Sequence, residues 1–153
     1  MGDIPDNTAY VPFQPPGASY AVSVPEGWAR STSGSTITFT DKLNSIAVTS
    51  SAMAAAPTVD SAKQTTVPQL QKAGAKFTLV AVTTVQRKGG PAVLVHYQVD
   101  SAPNPVTNKV IRDDVQRYEF FHNGTEVDLT LSGPVSADNV DPWKIVTDSL
   151  QWK

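Results

Sequence analysis

Hydrophobic and polar residues alternate along most of this chain. Alternation with a period of two is typical of β-strands that bury one face. The shorter alternating segments lie in the first third of the chain, and the longer ones lie beyond residue 76. We therefore predict an antiparallel sheet built largely from hairpins. The predicted strands are 20–24, a short strand from Trp28, 37–40, 45–49, 77–85, 92–99, 110–121 and 127–131.

Two segments change from the strand period to the helical one. Residues 58–74 carry apolar side chains at helical spacing, and Pro68 within them predicts a kink or a restart. Asp141 stands before a proline, which is typical of a helix start. The apolar stripe of this last helix is formed by Trp143, Val146 and Leu150. An α+β domain closed by a C-terminal amphipathic helix is the fold class that these periods predict.

Turn residues separate the long strands from one another. Asn123-Gly124 is the strongest hairpin signal in the chain, and Gly89-Gly90 predicts another turn. Residues 101–109 carry two prolines and no hydrophobic pattern, so they predict a loop.

The chain length of 153 residues suits one domain with one core. Residues 1–17 are rich in proline and predict a tail or tether, and residues 18–153 predict a single domain. Tyr10, Val11 and Phe13 are apolar, so part of the tail is expected to dock on the domain.

Composition excludes several classes of function. The net charge is −2 and no basic patch is visible, which argues against a nucleic-acid partner. The chain has no cysteine, so neither disulfides nor thiolate zinc sites can form. No run of about 18 apolar residues exists that would predict a membrane span. A surface rich in uncharged polar residues is a compositional feature of exported bacterial proteins.

Residues 20–28, Tyr-Ala-Val-Ser-Val-Pro-Glu-Gly-Trp, resemble the Tyr-x-Val-x-x-Pro-x-Gly-Trp strand and turn that open the PsbP-like and Mog-type fold. Residues 36–48 are similar to the hairpin that follows in that family, and residues 145–152 are similar to its terminal helix. The resemblance covers about residues 18–153 in the order and pattern of elements. Within the family, the chain looks closest to the LpqN-type lipoproteins of actinobacteria.

This resemblance implies an α/β/α sandwich around a twisted antiparallel sheet. It also implies a non-enzymatic accessory or binding protein that lies outside the cytoplasm and has a protein partner in the cell envelope. A membrane association would then depend on an N-terminal anchor that is not in this chain, and a monomer is expected. The family has no catalytic residues to carry over, and we expect no cofactor and no metal.

The densest cluster of charges is a candidate surface for the partner. It comprises Arg112, Asp113, Asp114 and Arg117 on one predicted strand. The alternative is that these charges form the solvated face of a strand and guard its edge against aggregation. The loop 101–109 is a second candidate surface.

Two alternative functions remain open from the residues. The first is a carrier of a small apolar or lipid ligand, held between sheet and helix by Phe77, Leu79, Trp143 and Val146. Core packing is the competing interpretation of these side chains. The second, less favoured, is a metal-dependent hydrolase that uses His96 and His122, although no paired ligand spacing is present.

Overall fold

The computed structural model describes residues 2–153, and Met1 lies outside the described residues. Within that range the chain forms a long series of strands interrupted twice by helix. The strands are β1 Tyr10–Phe13, β2 Tyr20–Pro25, β3 Ala29–Ser33, β4 Thr36–Asp41, β5 Asn44–Ala52, β6 Ala75–Arg87, β7 Gly90–Asp100, β8 Arg112–His122, β9 Thr125–Pro134 and β10 Gln151–Trp152. The helices are α1 Val59–Ser61, α2 Val67–Ala73 and α3 Val140–Asp148.

The strands form two antiparallel sheets. The large sheet has the order β3-β4-β5-β9-β8-β7-β6, and the small sheet has the order β1-β2-β10. Helices α1 and α2 lie on one face of the large sheet, whereas α3 and the small sheet cover the other. The predicted α+β class, with a mostly antiparallel sheet and a C-terminal helix, is confirmed. No helix in the described part of the chain is long and apolar enough to cross a membrane.

Each face of the large sheet has its own hydrophobic core. In β8, Tyr118 and Phe120 belong to the larger core beneath α3, while Val115 belongs to the smaller core beneath α2. This division follows from the strand geometry, because successive side chains point to opposite faces. We name the two faces after these helices, the α3 face and the α2 face.

The helical segment between β5 and β6 begins with a reciprocal cap. The Thr58 hydroxyl accepts from the Ser61 amide at 3.0 Å, and the Ser61 hydroxyl accepts from the Thr58 amide at 2.9 Å. A wider π-helical turn, Ala62–Thr66, follows α1 and leads into α2. Pro68 is the second residue of α2. The helical backbone runs from the π-helical turn into α2 without a break, so the irregularity predicted at Pro68 takes the form of a change of helix type just before it.

The N-terminal segment, expected to be a tether, packs against the domain over part of its length. Ile4 is only 4% exposed, and β1 pairs with β2. The Ile4 amide donates to Asn139 Oδ1 at 2.9 Å, and Asn139 Nδ2 donates to Asn44 Oδ1 at 3.1 Å. Phe13 meets Phe39 edge to face at 5.0 Å. Burial of these apolar side chains holds the segment on the domain, and the extended geometry that its prolines favour is compatible with its pairing as a strand.

Candidate functional site

The four charged residues proposed as a partner surface do not form one patch. Asp114 lies on the α3 face, whereas Arg117 pairs with acidic side chains on the α2 face. Arg112 turns toward β6, where it donates to the Lys76 carbonyl at 2.7 Å, and it also pairs with Asp100 at the end of β7 at 3.1 Å. A run of neighbours on a strand is divided between the two faces, which is why one continuous patch does not form.

Asp113 is the remaining member of that charged run. It is half-buried, and burial, followed by the nearby charge of Asp100, raises the pKa of its carboxyl. Its position on the strand places it on the same face as Arg117, four residues away.

The two histidines do not converge on a common site. His96 Nε2 contacts Asp114 Oδ1 at 2.7 Å on the α3 face. The His122 ring instead packs against Trp152, with ring centroids 5.1 Å apart. His96 faces Gln116 across the strand pair, and the strand rise places His122 about 20 Å further along β8. These positions do not support a metal site shared by the two histidines.

A groove of about 330 Å³ lies between the large sheet and α3. Its walls combine apolar and polar groups, and they include Arg87, Leu94, Asp114, Tyr118, Trp143 and Lys144. Arg87 Nη2 donates to the Tyr118 hydroxyl at 3.1 Å, and Arg87 Nε donates to the Thr147 hydroxyl at 2.9 Å. The arginine is therefore held in place at the end of the groove.

The four residues expected to line an apolar ligand pocket are separated by the sheet. Trp143 does line the groove, but Val146 is fully buried in the core beneath α3. Phe77 stacks on Tyr97 in the other core, with ring centroids 5.1 Å apart. Leu79 is 40% exposed. Core packing therefore accounts for the positions of Val146 and Phe77. Of the four proposed residues, only Trp143 lines the groove.

An acidic cluster lies in the α2 face, and the sequence analysis did not identify it as a site. Glu119 of β8 and Glu126 and Asp128 of β9 are only 3%, 6% and 6% exposed. One carboxylate oxygen from each lies within 4.8 Å of the others. Arg117 donates to Glu119 Oε2 at 3.0 Å and to Asp128 Oδ2 at 2.9 Å. The second oxygen of Asp128, Oδ1, is buried and has no hydrogen-bond partner among the described residues.

The hairpin explains how these carboxylates meet. The Asn123-Gly124 turn pairs Glu119 with Asp128, and Glu126 lies two residues before Asp128 on the same face. A two-residue turn fixes the register, so counting outward from Asn123-Gly124 would have found the cluster in the sequence alone.

Burial controls the electrostatics of the cluster. It raises the pKa of Asp128 from 3.8 to about 8, against the opposing charge of Arg117 and with the support of Glu126 and Glu119. Burial also raises the pKa of Glu119, again against Arg117. Burial alone would lower the pKa of Arg117, but the carboxylates around it hold that pKa above its usual value.

Part of the α2 face is not covered by the helices. It spans β3, β4, β5 and the adjoining part of β9, and its side chains are exposed or half-buried. The register of the strands places only small or hydroxyl-bearing residues here, and we call this surface the hydroxyl face. Its members are Ala29, Ser31, Ser33, Thr36, Thr38, Thr40, Ser45, Ala47, Thr49, Ser51, Thr130 and Ser132.

No protein-family model matches this chain, and no curated protein matches it either. Solved structures do match it in fold. The cyanobacterial PsbP protein CyanoP of Synechocystis sp. PCC 6803 superposes with a TM-score of 0.63 at 14% identity, covering 100% of this chain and 99% of that one. The Ran-binding protein Mog1p of Saccharomyces cerevisiae gives a TM-score of 0.54 at 12% identity, covering 85% and 79% of the two chains.

A third similar structure is LpqN of Mycobacterium tuberculosis, described as involved in cell envelope biogenesis. Its TM-score is 0.52 at 11% identity, and the match covers 95% of this chain and 91% of that one. All three share one fold, so the predicted PsbP-like and Mog-type fold is confirmed. At these identities the likeness concerns the fold alone, and function must be argued from the surface and its chemistry.

Proposed function

We propose that this PsbP-like domain is a non-enzymatic accessory or binding protein of the bacterial cell envelope. It lies outside the cytoplasm and acts through protein–protein interaction. The observation that carries the proposal is the edge of the large sheet at β3, which is open and continuous with the hydroxyl face. The uses stated for Mog1p, a Ran-binding protein, and for LpqN, a protein of envelope biogenesis, are compatible with such a role.

The β3 edge lacks the features that usually protect an edge strand. All five residues of Ala29–Ser33 are exposed, and their pairing with β4 is regular. Edge strands are commonly blocked by proline, by bulges or by charges. The opposite edge, β6, carries two irregularities in its register, and β1 at the edge of the small sheet contains Pro12. The outward backbone groups of β3 are therefore open to a further strand.

The single charge on β3 does not protect the hydroxyl face. The Arg30 guanidinium carbon lies 5.6 Å from the centre of the Phe13 ring, on the α3 face. On the other face, β3 presents Ala29, Ser31 and Ser33. Apart from Arg30, whose side chain points to the opposite face, neither β3 nor the hydroxyl face holds an ionised group whose desolvation would oppose docking.

We propose that the occupant of this surface is an extended segment of a partner protein. The segment adds to β3 as a further antiparallel or parallel strand, and its backbone supplies most of the hydrogen bonds. Its alternate side chains lie over the hydroxyl face. Small uncharged side chains are expected on that side of the partner, because Ser and Thr form a shallow surface without deep pockets.

A charge-insertion experiment tests this surface. The partner is first captured from envelope extracts with the wild-type chain and then purified. The double variant Ser31→Lys/Thr40→Lys places two cations on the exposed hydroxyl face. We expect its affinity for the purified partner, measured by calorimetry, to fall by at least about 10-fold, or about 1.4 kcal/mol.

The matched control adds the same charge elsewhere. Val106→Lys/Thr107→Lys alters the loop 101–109, where Val106 is 92% exposed. We expect this variant to bind like the wild type. If the loop variant loses the partner and the sheet variant keeps it, the loop is the contact surface and the β3 edge is not.

The groove beside α3 favours a second function, carriage of a small ligand. A volume of about 330 Å³ is close to the lower end for small-molecule sites, and Leu94, Tyr118 and Trp143 supply apolar wall. Lys144 at the rim pairs with Asp148 at 2.8 Å and would have to exchange this partner for an anionic head group. A carrier is expected to show a bound mass in native mass spectrometry that disappears on denaturation; a single peak at the bare chain mass would argue against it.

A further inference from the structure

We infer that Glu119, Glu126 and Asp128 form a binding site for one calcium ion between the β8–β9 hairpin and the π-helical turn above it. This site is separate from the β3 edge and does not depend on the proposed interaction.

Three converging carboxylates suit Ca²⁺ better than Mg²⁺. Their ligand atoms lie within 4.8 Å of one another. Ca²⁺ takes six to eight oxygens at about 2.3–2.6 Å in flexible geometry, so the three side chains can close on it with small adjustments. Mg²⁺ requires a regular octahedron at about 2.0–2.1 Å, which carboxylates fixed by a hairpin and by Arg117 form less readily.

The charge of the cluster is incompletely balanced. Three buried acids meet one guanidinium, and even with a proton on Asp128 the two glutamates outnumber it. The ion pairs found among the described residues join Arg117 to Glu119 and Asp128. Neither of these pairs reaches Glu126. Buried carboxylates without a counter-charge are costly, and a divalent cation would supply the missing positive charge.

An unsatisfied atom points to the same occupant. Asp128 is 6% exposed, and its Oδ1 has no hydrogen-bond partner in the described part of the chain. A buried oxygen without a partner is rare in a folded protein and calls for a ligand or an ordered water. Arg117 occupies only Oδ2, and the neighbouring acid Glu126 can share a proton with Asp128, so a cation that binds here displaces that proton.

The groups around the carboxylates hold them in a suitable arrangement. Arg117 bridges Glu119 and Asp128 through one oxygen of each, as outer-shell partners of metal ligands do. The Thr66 hydroxyl donates to Glu119 Oε2 at 3.3 Å and closes the site from above. Thr66 ends the π-helical turn, and such turns are frequent at functional sites.

A small cavity reaches the cluster at Glu119, the one of the three carboxylates that lines it. Its volume is about 120 Å³, and its walls include Glu119, Phe121 and Thr84, together with Pro57 ahead of α1. An entry path is one of the requirements for a metal site, and water in this cavity can complete the six to eight ligands that Ca²⁺ takes.

Titration of the whole chain with calcium tests the inference. The protein is stripped with a chelator, exchanged into chelator-free buffer at about pH 8.5 and titrated with CaCl₂ or MgCl₂ in a calorimeter. We expect one Ca²⁺ per chain and at least about 10-fold weaker binding of Mg²⁺. At a Ca²⁺ concentration about 100 times the Kd, the melting temperature should rise by about 5–10 °C.

Two variants separate this site from general charge effects. Glu126→Gln removes the carboxylate that Arg117 does not pair with, and its Ca²⁺ affinity is expected to fall by at least about 10-fold. Asp113→Asn, a half-buried acid on the same face outside the cluster, should bind like the wild type. Absence of Ca²⁺ binding to the wild-type chain overturns the inference, as does equal affinity in Glu126→Gln that remains folded by circular dichroism.

Discussion

Replacing Arg117 by methionine is expected to lower the free energy of unfolding by about 3–5 kcal/mol at about pH 8, the largest effect that we predict for a single side chain. Arg117 makes ion pairs with Glu119 and Asp128, both almost fully buried. Methionine fills a similar volume but leaves the carboxylates without their counter-charge. Urea unfolding followed by tryptophan fluorescence, with a chelator present, measures the loss.

The pH dependence of this loss of stability shows whether the missing charge of Arg117 causes it. The pKa values of Asp128 and Glu119 are raised, so lowering the pH protonates the folded cluster early. The destabilisation in Arg117→Met should therefore shrink toward pH 5, and Arg117→Lys should retain part of the wild-type stability throughout. An equal loss at both pH values would mean that Arg117 acts through packing alone.

The wild-type chain itself should become less stable as the pH rises from about 4 to about 8, when divalent cations are removed. The pKa of Asp128 is 3.8 unfolded and about 8 folded, so within that window the folded chain holds a proton that the unfolded chain has released. Stability is therefore complete below the unfolded pKa and falls as the pH approaches the folded one. We expect a loss on the order of 3 kcal/mol, measured by urea unfolding across the series.

Asp128→Asn should remove much of this dependence. Asparagine keeps the shape of the side chain and cannot ionise, so the variant should be more stable than the wild type above pH 8 and similar to it near pH 4. Asp148→Asn is the matched control, because the hydrogen bond from Lys144 lowers the pKa of Asp148. Asp148→Asn should still lose stability as the pH rises from about 4 to about 8, as the wild type does. A slope unchanged in Asp128→Asn would assign the effect to other groups.

Most strands and helices of this fold can be predicted from local patterns in the sequence. Alternation predicts the long strands of the hairpins, and the Asp141-Pro142 pair places the last helix within two residues of its observed start at Val140. These signals work because strand period, turn chemistry and helix capping are local properties. The docking of the N-terminal segment is harder to predict. Its prolines are visible in the sequence, but the hydrogen bond from Ile4 to Asn139 joins residues that are 135 positions apart.

The positions of the charged side chains cannot be predicted from local sequence alone. Treating Arg112, Asp113, Asp114 and Arg117 as one surface assumed that neighbours in sequence are neighbours in space. On a strand they alternate, and Arg117 is drawn to carboxylates on β9 rather than to solvent. The hydroxyl face was equally hidden, because its members come from separate strands and only the pairing register brings them onto one surface.

The small sheet has a consequence for the order in which the chain folds. β2 pairs with β1 on one side and with β10 on the other, and the Ser23 amide donates to the Ser149 hydroxyl across 126 residues. Closing so long a loop is entropically costly until the intervening chain is already compact. The hairpins of the large sheet and the local pairing of β1 with β2 should therefore form early, and β10 should join β2 in the final, slow step of folding.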